Sequence, residues 1–156
     1  MPKVGFLGAR SAASGTGLER LRQELRALGY VEGKNVVFES RYADNQLDRL
    51  PALADELVRI KVDVLVAAQT PEALAAKNST KTIPIVFVIG GDPITAGVVD
   101  SLARLGGNIT GFTIIATVST GKRLEFLKEI IPKLSRVVVL WDPQIEALCN
   151  NGEQAN

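Results

Sequence analysis

Residues 64–89, VLVAAQTPEALAAKNSTKTIPIVFVI, contain the pattern that decides the fold class. Two apolar runs of strand length, residues 64–68 and 84–89, flank a segment that begins like a helix. The tripeptide Thr70-Pro71-Glu72 predicts that helix start, with Thr70 as the cap and proline at the first helical position. Strand, helix and strand in this order predict a unit of two parallel strands joined by a helical crossover.

The same alternation continues on both sides of this unit. Apolar runs predict two earlier strands, at residues 4–7 and 36–38, and a fifth strand at residues 109–113. Leucines recur at helical spacing between the runs: Leu18, Leu21, Leu25 and Leu28, then Leu50, Leu53 and Leu57. The chain is therefore predicted to be an α/β protein with an open parallel sheet and helices on both faces.

Local signals predict where the helices begin and end. Gly29 is a C-terminal stop for the first helix, and Asn45 is the predicted cap of the second. Asp-Pro at residues 92–93 repeats the cap-and-proline signal and predicts a helix that reaches Leu105. A further apolar stripe after residue 121 predicts another helix, and the run at residues 137–141 predicts a sixth strand.

Composition limits the classes of function. Lys and Arg number 18 against 17 Asp and Glu, with no basic cluster, so we expect no nucleic-acid partner. The chain has no His, which removes the commonest general base and the commonest zinc ligand. The single Cys149 excludes an intrachain disulfide. We therefore expect a protein that is not an enzyme and carries no cofactor or metal.

Two nucleotide-binding signals fail on inspection. Residues 15–17 are Gly-Thr-Gly, but a dinucleotide loop needs a third glycine where this chain has Arg20. Gly-Lys at residues 121–122 resembles the end of a phosphate loop, yet Ala116 replaces its first glycine and Arg123 its Ser or Thr.

Polar residues follow three of the predicted strands. Ligands of open parallel sheets bind beyond the carboxyl ends of the strands. Residues 9–17 are rich in hydroxyls and small side chains, Gln69-Thr70 follows the third strand, and Asp92 follows the fourth. Helix N-termini suit a carboxylate, and Asp92 suits an ammonium group. Helix capping alone explains the Ser, Thr and Asp residues about equally well.

Four longer strings carry a family resemblance. They closely resemble ABC-transporter substrate-binding proteins, the family that includes tryptophan- and phenylalanine-type binders. The strings are LRALGYVEGKNVVFESRYA (25–43), DRLPALADELVRIKVDVLVAAQTPEALAAKNSTKTIPIVF (48–87), GDPITAGVVDSLARLGGNITG (91–111) and GKRLEFLKEIIPKLSRVVVLWDP (121–143).

The resemblance implies a two-lobed protein of the type I periplasmic-binding class, with the strand order 2-1-3-4-5 in each lobe. Residues 1–115 would form the first ligand-binding lobe, 116–120 the crossing or hinge, and 121–156 a truncated start of the second lobe, because the family is roughly twice this length. The pocket candidates that follow from it are Ser11, Ser14, Gln69, Thr70 and Asp92.

The family resemblance also implies that the protein is the solute-binding component of an ABC importer. Such a component holds a small, amino-acid-like solute and delivers it to a membrane permease. The protein would then be periplasmic or extracytoplasmic, although the chain shows no signal peptide. Two alternatives stay open. One is a cytoplasmic ligand-sensing domain of the repressor-effector type, and the other is a flavodoxin-like or nucleotide-using enzyme.

The apolar segment at residues 119–141 predicts self-association. Its helix stripe and its strand would be buried in a second lobe that this chain does not contain. Exposed apolar side chains cost roughly 1.5–3 kcal/mol each, so the segment would either fold back on its own lobe or pack against the same segment of another chain. An edge strand beside an apolar helix favours the second route, and we expect a homodimer or a swapped assembly.

Overall fold

The computed structural model describes residues 1–14, 16–101, 107–114, 125–133 and 136–138. Within these residues strands and helices alternate as the sequence predicts. The elements of the sheet and its crossovers are β1 (Lys3–Gly8), α1 (Thr16–Ala27), β2 (Val37–Tyr42), α2 (Leu50–Arg59), β3 (Val64–Ala67), α3 (Thr70–Ser79), β4 (Ile85–Gly90) and β5 (Ile109–Ile114). Short 3-10 turns at Ala12–Ser14 and Leu47–Arg49 precede α1 and α2.

The five strands form one parallel sheet in the order β2-β1-β3-β4-β5. Strand β1 is interior, since Val4 pairs with Phe38 of β2 on one side and with Val64 of β3 on the other. Both the α/β class and the 2-1-3-4-5 order are confirmed. Because all strands run the same way, their carboxyl ends meet at one edge of the sheet.

Each face of the sheet has its own apolar core. Successive side chains of a strand point to opposite faces, so neighbouring residues of β1 enter different cores. Leu7 packs with Leu57 of α2 and Ala76 of α3, whereas Phe6 packs with Leu18 of α1. Helix α1 therefore covers one face, and α2 and α3 cover the other. The chain moves from β1 to β2 in one direction along the sheet and from β2 to β3 and β4 in the other, and right-handed crossovers in opposite directions place their helices on opposite faces.

The end of α1 follows its glycine signal. Gly29 has a φ of 90°, and the Tyr30 N–H donates to the Leu25 carbonyl at 2.8 Å, which closes the helix. The prediction of this stop is confirmed. The leucine stripe is shorter than predicted, because Leu28 lies beyond the last helical residue and is 74% exposed.

Two predicted helix caps are wrong. Asn45 has a φ of 64° and donates its N–H to the Ala9 carbonyl at 2.7 Å, so it is a left-handed turn residue that precedes the 3-10 turn before α2. Gln69, not Thr70, occupies the cap position of α3. The chain stays extended through Gln69, and the helix begins with Thr70 itself.

The predicted helix from Asp92 to Leu105 is also wrong over its described part. Residues 93–97 form a single turn that ends where Gly97 takes a φ of 72°. Val98 and Val99 then enter the core beside β4 and β5. Burial of these two side chains outweighs the local cap-and-proline signal. Residues 102–106 lie outside the described residues.

The segment after β5 is helical at residues 125–130, as predicted, and Ile130 is 77% exposed. The predicted sixth strand is absent from the part that is described: residues 136–138 pair with no strand, and Val138 lies exposed. A strand needs a partner for its backbone groups, and none of the described strands lies beside this run. The predicted crossing at 116–120 and residues 139–141 lie outside the described residues.

Candidate functional site

A cleft of about 240 Å³ opens at the carboxyl edge of the sheet. It lies where β1, β2 and β3 end and where α1 and α3 begin, which is the position that open parallel sheets use for ligands. Its walls are formed by Phe6, Gly8, Ala9, Arg10, Thr16, Gly17, Tyr42, Ala68, Gln69 and Glu72.

Two aromatic rings form the apolar wall of the cleft. The centroids of Phe6 and Tyr42 lie 6.0 Å apart, with the ring planes inclined at 47°. Gly8 makes room for this pair, because a Cβ there would lie 2.8 Å from the Tyr42 ring. Burial raises the pKa of Tyr42 above its ordinary value of 10.0, and a hydrogen bond with the Ser40 side chain opposes this shift.

A buried carboxylate also lines the cleft. Glu72, in the first turn of α3, is only 2% exposed, and its Oε1 accepts a hydrogen bond from the Ala9 N–H at 2.8 Å. Burial raises the pKa of Glu72, while the backbone N–H groups of Glu72 and Ala9 and the charge of Arg10 lower it to a smaller extent. The carboxylate thereby ties the loop after β1 to the N-terminus of α3.

The mouth of the cleft carries a cation and an amide. Arg10 is exposed on the loop after β1, and its positive charge lowers the pKa of Glu72, against the larger effect of burial. Gln69 is extended at the cap position of α3, and its side chain makes no capping hydrogen bond. A guanidinium and an amide therefore line the same cleft, where both can donate hydrogen bonds to a carboxylate.

The structure brings only some of the predicted site residues together. Gln69 lines the cleft, while Ser11 and Thr70 each adjoin a lining residue along the chain. Ser14 belongs to the 3-10 turn before α1. Asp92 follows β4 and is not among the lining residues.

Asp92 has a local structural role. Its carboxylate accepts hydrogen bonds from the Ile94 N–H at 3.0 Å and the Thr95 hydroxyl at 2.9 Å. These donors, the Ile94 N–H first, lower the pKa of Asp92 and keep it ionised. Asp92 therefore stabilises the single turn at residues 93–97 and caps no helix there.

Sequence reasoning missed Phe6, Arg10, Tyr42 and Glu72 as members of the candidate site. Glu72 was visible only as an acid in a first helical turn, which is a common and uninformative position. Its burial depends on the β1 loop folding over α3, and Tyr42 comes from an edge strand. Neither relation has a signal in the local sequence.

A larger groove of about 500 Å³ lies between α1 and the loop that precedes β2. Its central Arg22 is already paired with Glu19 at 2.6 Å and with Glu32 at 3.2 Å, and it stacks over Phe38 at 5.4 Å. The charges in this groove are paired with one another, although the Arg22 Nε is buried without a hydrogen-bond partner among the described residues, so we rank the groove below the cleft as a ligand site.

Metal and membrane features are absent from the described part of the chain. Its His, Cys, Asp and Glu side chains form no group of three or more that could hold a metal ion. Among the same residues, no helix is long and apolar enough to cross a bilayer.

One parallel sheet in the order 2-1-3-4-5, with a cleft beyond its carboxyl ends, occurs both in flavodoxin-like folds and in lobes of the periplasmic-binding-protein-like class, so the comparisons decide between them. Residues 14–154 match the family model described as ABC transporter substrate binding protein, and the chain belongs to this family. The family resemblance of the sequence is thereby confirmed.

A curated relative is the "Tyrosine-binding protein" of Clostridioides difficile. It is 35% identical over 114 residues, which are 73% of this chain and 32% of the relative. The chain thus spans about a third of the length of this relative.

Three solved structures share the fold. A ligand-free, open substrate-binding protein with adhesive properties from Clostridium difficile superposes with a TM-score of 0.74 at 30% identity, over 85% of this chain and 45% of that one. A conserved domain protein from Vibrio cholerae gives 0.70 at 35% identity, over 85% and 44%. The ABC domain from Streptococcus pneumonia in complex with L-Trp gives 0.60 at 26% identity, over 72% and 38%.

Proposed function

We propose that this chain is a ligand-binding lobe of the solute-binding component of an ABC importer, and that its ligand is an amino-acid-like zwitterion. The observation that carries the proposal is the composition of the cleft. A guanidinium, a buried carboxylate and an aromatic wall line one volume of about 240 Å³. Together they match the carboxylate, the ammonium and the side chain of an aromatic amino acid.

The relatives support this class of ligand. One is named a tyrosine-binding protein, and one solved structure holds L-Trp. At the cleft mouth, the side-chain amide of Gln69 would donate a hydrogen bond to the ligand carboxylate. The hydroxyls of Ser11, Ser14 and Thr70 at the same edge are proposed as further contacts with the ligand. The carboxylate of Asp92, which follows β4, is proposed as another.

The proposed mechanism is that of a clamp. A second lobe closes over the ligand by a hinge motion, which is stabilised by contacts made only in the closed state. The closed form presents the solute to a membrane permease on the extracytoplasmic side. No chemical step is involved, so the family relationship argues for binding and transport and against the enzyme alternative.

Calorimetric titration with a panel of ligands tests the class of solute. We expect heats of binding for one or more of L-tyrosine, L-tryptophan and L-phenylalanine. The matching negative controls are glucose, ribose and ATP, which lack the zwitterionic head group. Tight binding of a sugar or a nucleotide, with no response to any amino acid, would refute the proposal.

Gln69→Ala tests the position of the site. The substitution removes a neutral hydrogen bond to the ligand, so we expect the Kd for the responding amino acid to rise by up to about tenfold. Gln23→Ala is the matched control, since Gln23 lies on α1 in the larger groove. A loss of affinity in Gln23→Ala with none in Gln69→Ala would move the ligand to that groove.

Self-association through residues 119–141 stays a prediction. The apolar side chains of Phe126, Ile130 and Ile131 are exposed in the described part of this segment. We expect light scattering across a dilution series to show a dimer that dissociates on dilution, and Ile130→Glu to favour the monomer. A monomer at all concentrations would contradict the homodimer.

A further inference from the structure

One oxygen of the Glu72 carboxylate is unsatisfied. Oε1 accepts the Ala9 N–H, but Oε2 is buried and has no hydrogen-bond partner among the described residues. The whole residue is 2% exposed and lines the cleft. Buried polar atoms nearly always have a partner, and a carboxylate oxygen without one is costly to bury.

The surroundings show what kind of group would satisfy this oxygen. Arg10 is the charged residue that faces Glu72 from the β1 loop, and it lies on the exposed side of the cleft. The Phe6–Tyr42 pair lines the same cleft, and Gly8 and Gly17 present no side chain there. Glu72 itself is a lining residue, so a small rotation of its side chain would bring Oε2 to an N–H donor that enters the cleft.

We propose that Glu72 binds the ammonium group of the amino-acid ligand through Oε2, while Arg10 faces the ligand carboxylate. This assignment rests on the proposed function and names its specificity determinant. The separation of a buried anion from an exposed cation fixes the orientation of a zwitterion, with the ammonium innermost. A ligand that lacks the ammonium leaves Oε2 unsatisfied and is disfavoured.

Asp92 is the rival for the same role, and the geometry favours Glu72. Both oxygens of Asp92 already have donors, from Ile94 and Thr95, and its side chain is outside the cleft lining. A further donor adds little to a carboxylate that is already satisfied and close to water.

The test is a cycle of two proteins and two ligands. The protein and its Glu72→Gln variant are each titrated with L-tyrosine and with 3-(4-hydroxyphenyl)propanoate, which lacks only the ammonium group. The glutamine is isosteric, and its amide oxygen still accepts the Ala9 N–H. We expect Glu72→Gln to weaken L-tyrosine by about tenfold to a hundredfold and to leave the deaminated ligand unchanged.

Controls separate this proposal from the proposed function. Glu24→Gln makes the same exchange on the exposed face of α1 and is expected to bind L-tyrosine as the parent does. If the unsubstituted protein binds no amino acid in the panel, the proposed function fails. If it binds L-tyrosine and Glu72→Gln binds equally well, only the role of Glu72 fails. A loss of affinity in Asp92→Asn without one in Glu72→Gln would assign the ammonium to Asp92.

A measurement on the unsubstituted protein does not depend on how the variant folds. The pKa of Glu72 is followed by the ¹³C shift of its carboxyl carbon with and without ligand. Saturation with L-tyrosine is expected to lower this pKa, because a nearby ammonium favours the ionised carboxylate. The deaminated ligand brings only a negative charge and is expected not to lower it. An unchanged pKa with L-tyrosine bound would overturn the proposal.

Discussion

Leu65→Ala is expected to lower the free energy of unfolding by about 2–5 kcal/mol. Leu65 is 0% exposed at the centre of β3, and its strand pairs with β1 on one side and β4 on the other. Strands on both sides and the helices above restrict collapse around the truncated side chain. The substitution therefore loses both the transfer free energy of the removed atoms and the contacts across the cavity they leave.

Urea unfolding monitored by circular dichroism measures this change, with Val88→Ala as the control. Val88 is also an aliphatic residue of an interior strand, but it is 46% exposed on the opposite face from the α2–α3 core. We expect its truncation to change the stability by no more than about 0.5 kcal/mol. Equal losses at the two positions would mean that the faces of the sheet are assigned wrongly.

Glu72→Gln is expected to stabilise the ligand-free protein at pH 7, by about 1–3 kcal/mol. The glutamine keeps the acceptor for the Ala9 N–H and removes a buried charge whose second oxygen has no partner. A residue that costs stability and lines a cleft is the pattern expected of a binding site, where function opposes stability.

The stabilisation expected from Glu72→Gln depends on pH in a direction that the pKa of Glu72 determines. Burial raises the pKa of Glu72 above its ordinary value of 4.5, so the folded state holds the proton more tightly than the unfolded state does. The stability that this group contributes is full below about pH 4.5 and is lost as the pH rises through the raised pKa. The difference in unfolding free energy between Glu72→Gln and the parent should therefore grow from acid to neutral pH.

Glu72→Ala separates the charge from the hydrogen bond. It removes the same charge but also leaves the Ala9 N–H without its acceptor and opens a cavity. We expect Glu72→Ala to be less stable than Glu72→Gln at every pH. A Glu72→Gln variant that is less stable than the parent at pH 7 would instead mean that attraction between Glu72 and Arg10 outweighs the cost of burial.

Local chemistry was sufficient to predict the framework of this protein. The apolar runs of β1, β3 and β4 are bounded by glycine and polar residues, and their alternation with helical segments admits few arrangements other than a parallel sheet. Gly29 ends α1 because a left-handed residue is needed there, and glycine adopts it without strain. These are properties of short stretches, so the sequence states them directly.

Competition between local and distant preferences decided the remaining helix boundaries. Asp92-Pro93 has a strong helix-start signal, yet the chain makes one turn and places Val98 and Val99 in the core. The signal is worth about 1 kcal/mol, whereas burying two valines is worth about 3 kcal/mol or more. The space those valines fill exists only after β4 and β5 have paired.

The binding site depends most on tertiary structure. The sequence predicted the edge of the sheet at which the cleft lies and one of its lining residues, Gln69, because strand ends and helix starts are local features. It could not show that Glu72 is buried under the β1 loop or that Tyr42 of β2 closes against Phe6 of β1. Dehydration of a charge, and the distance between residues on different strands, arise only when segments far apart in the chain pack together.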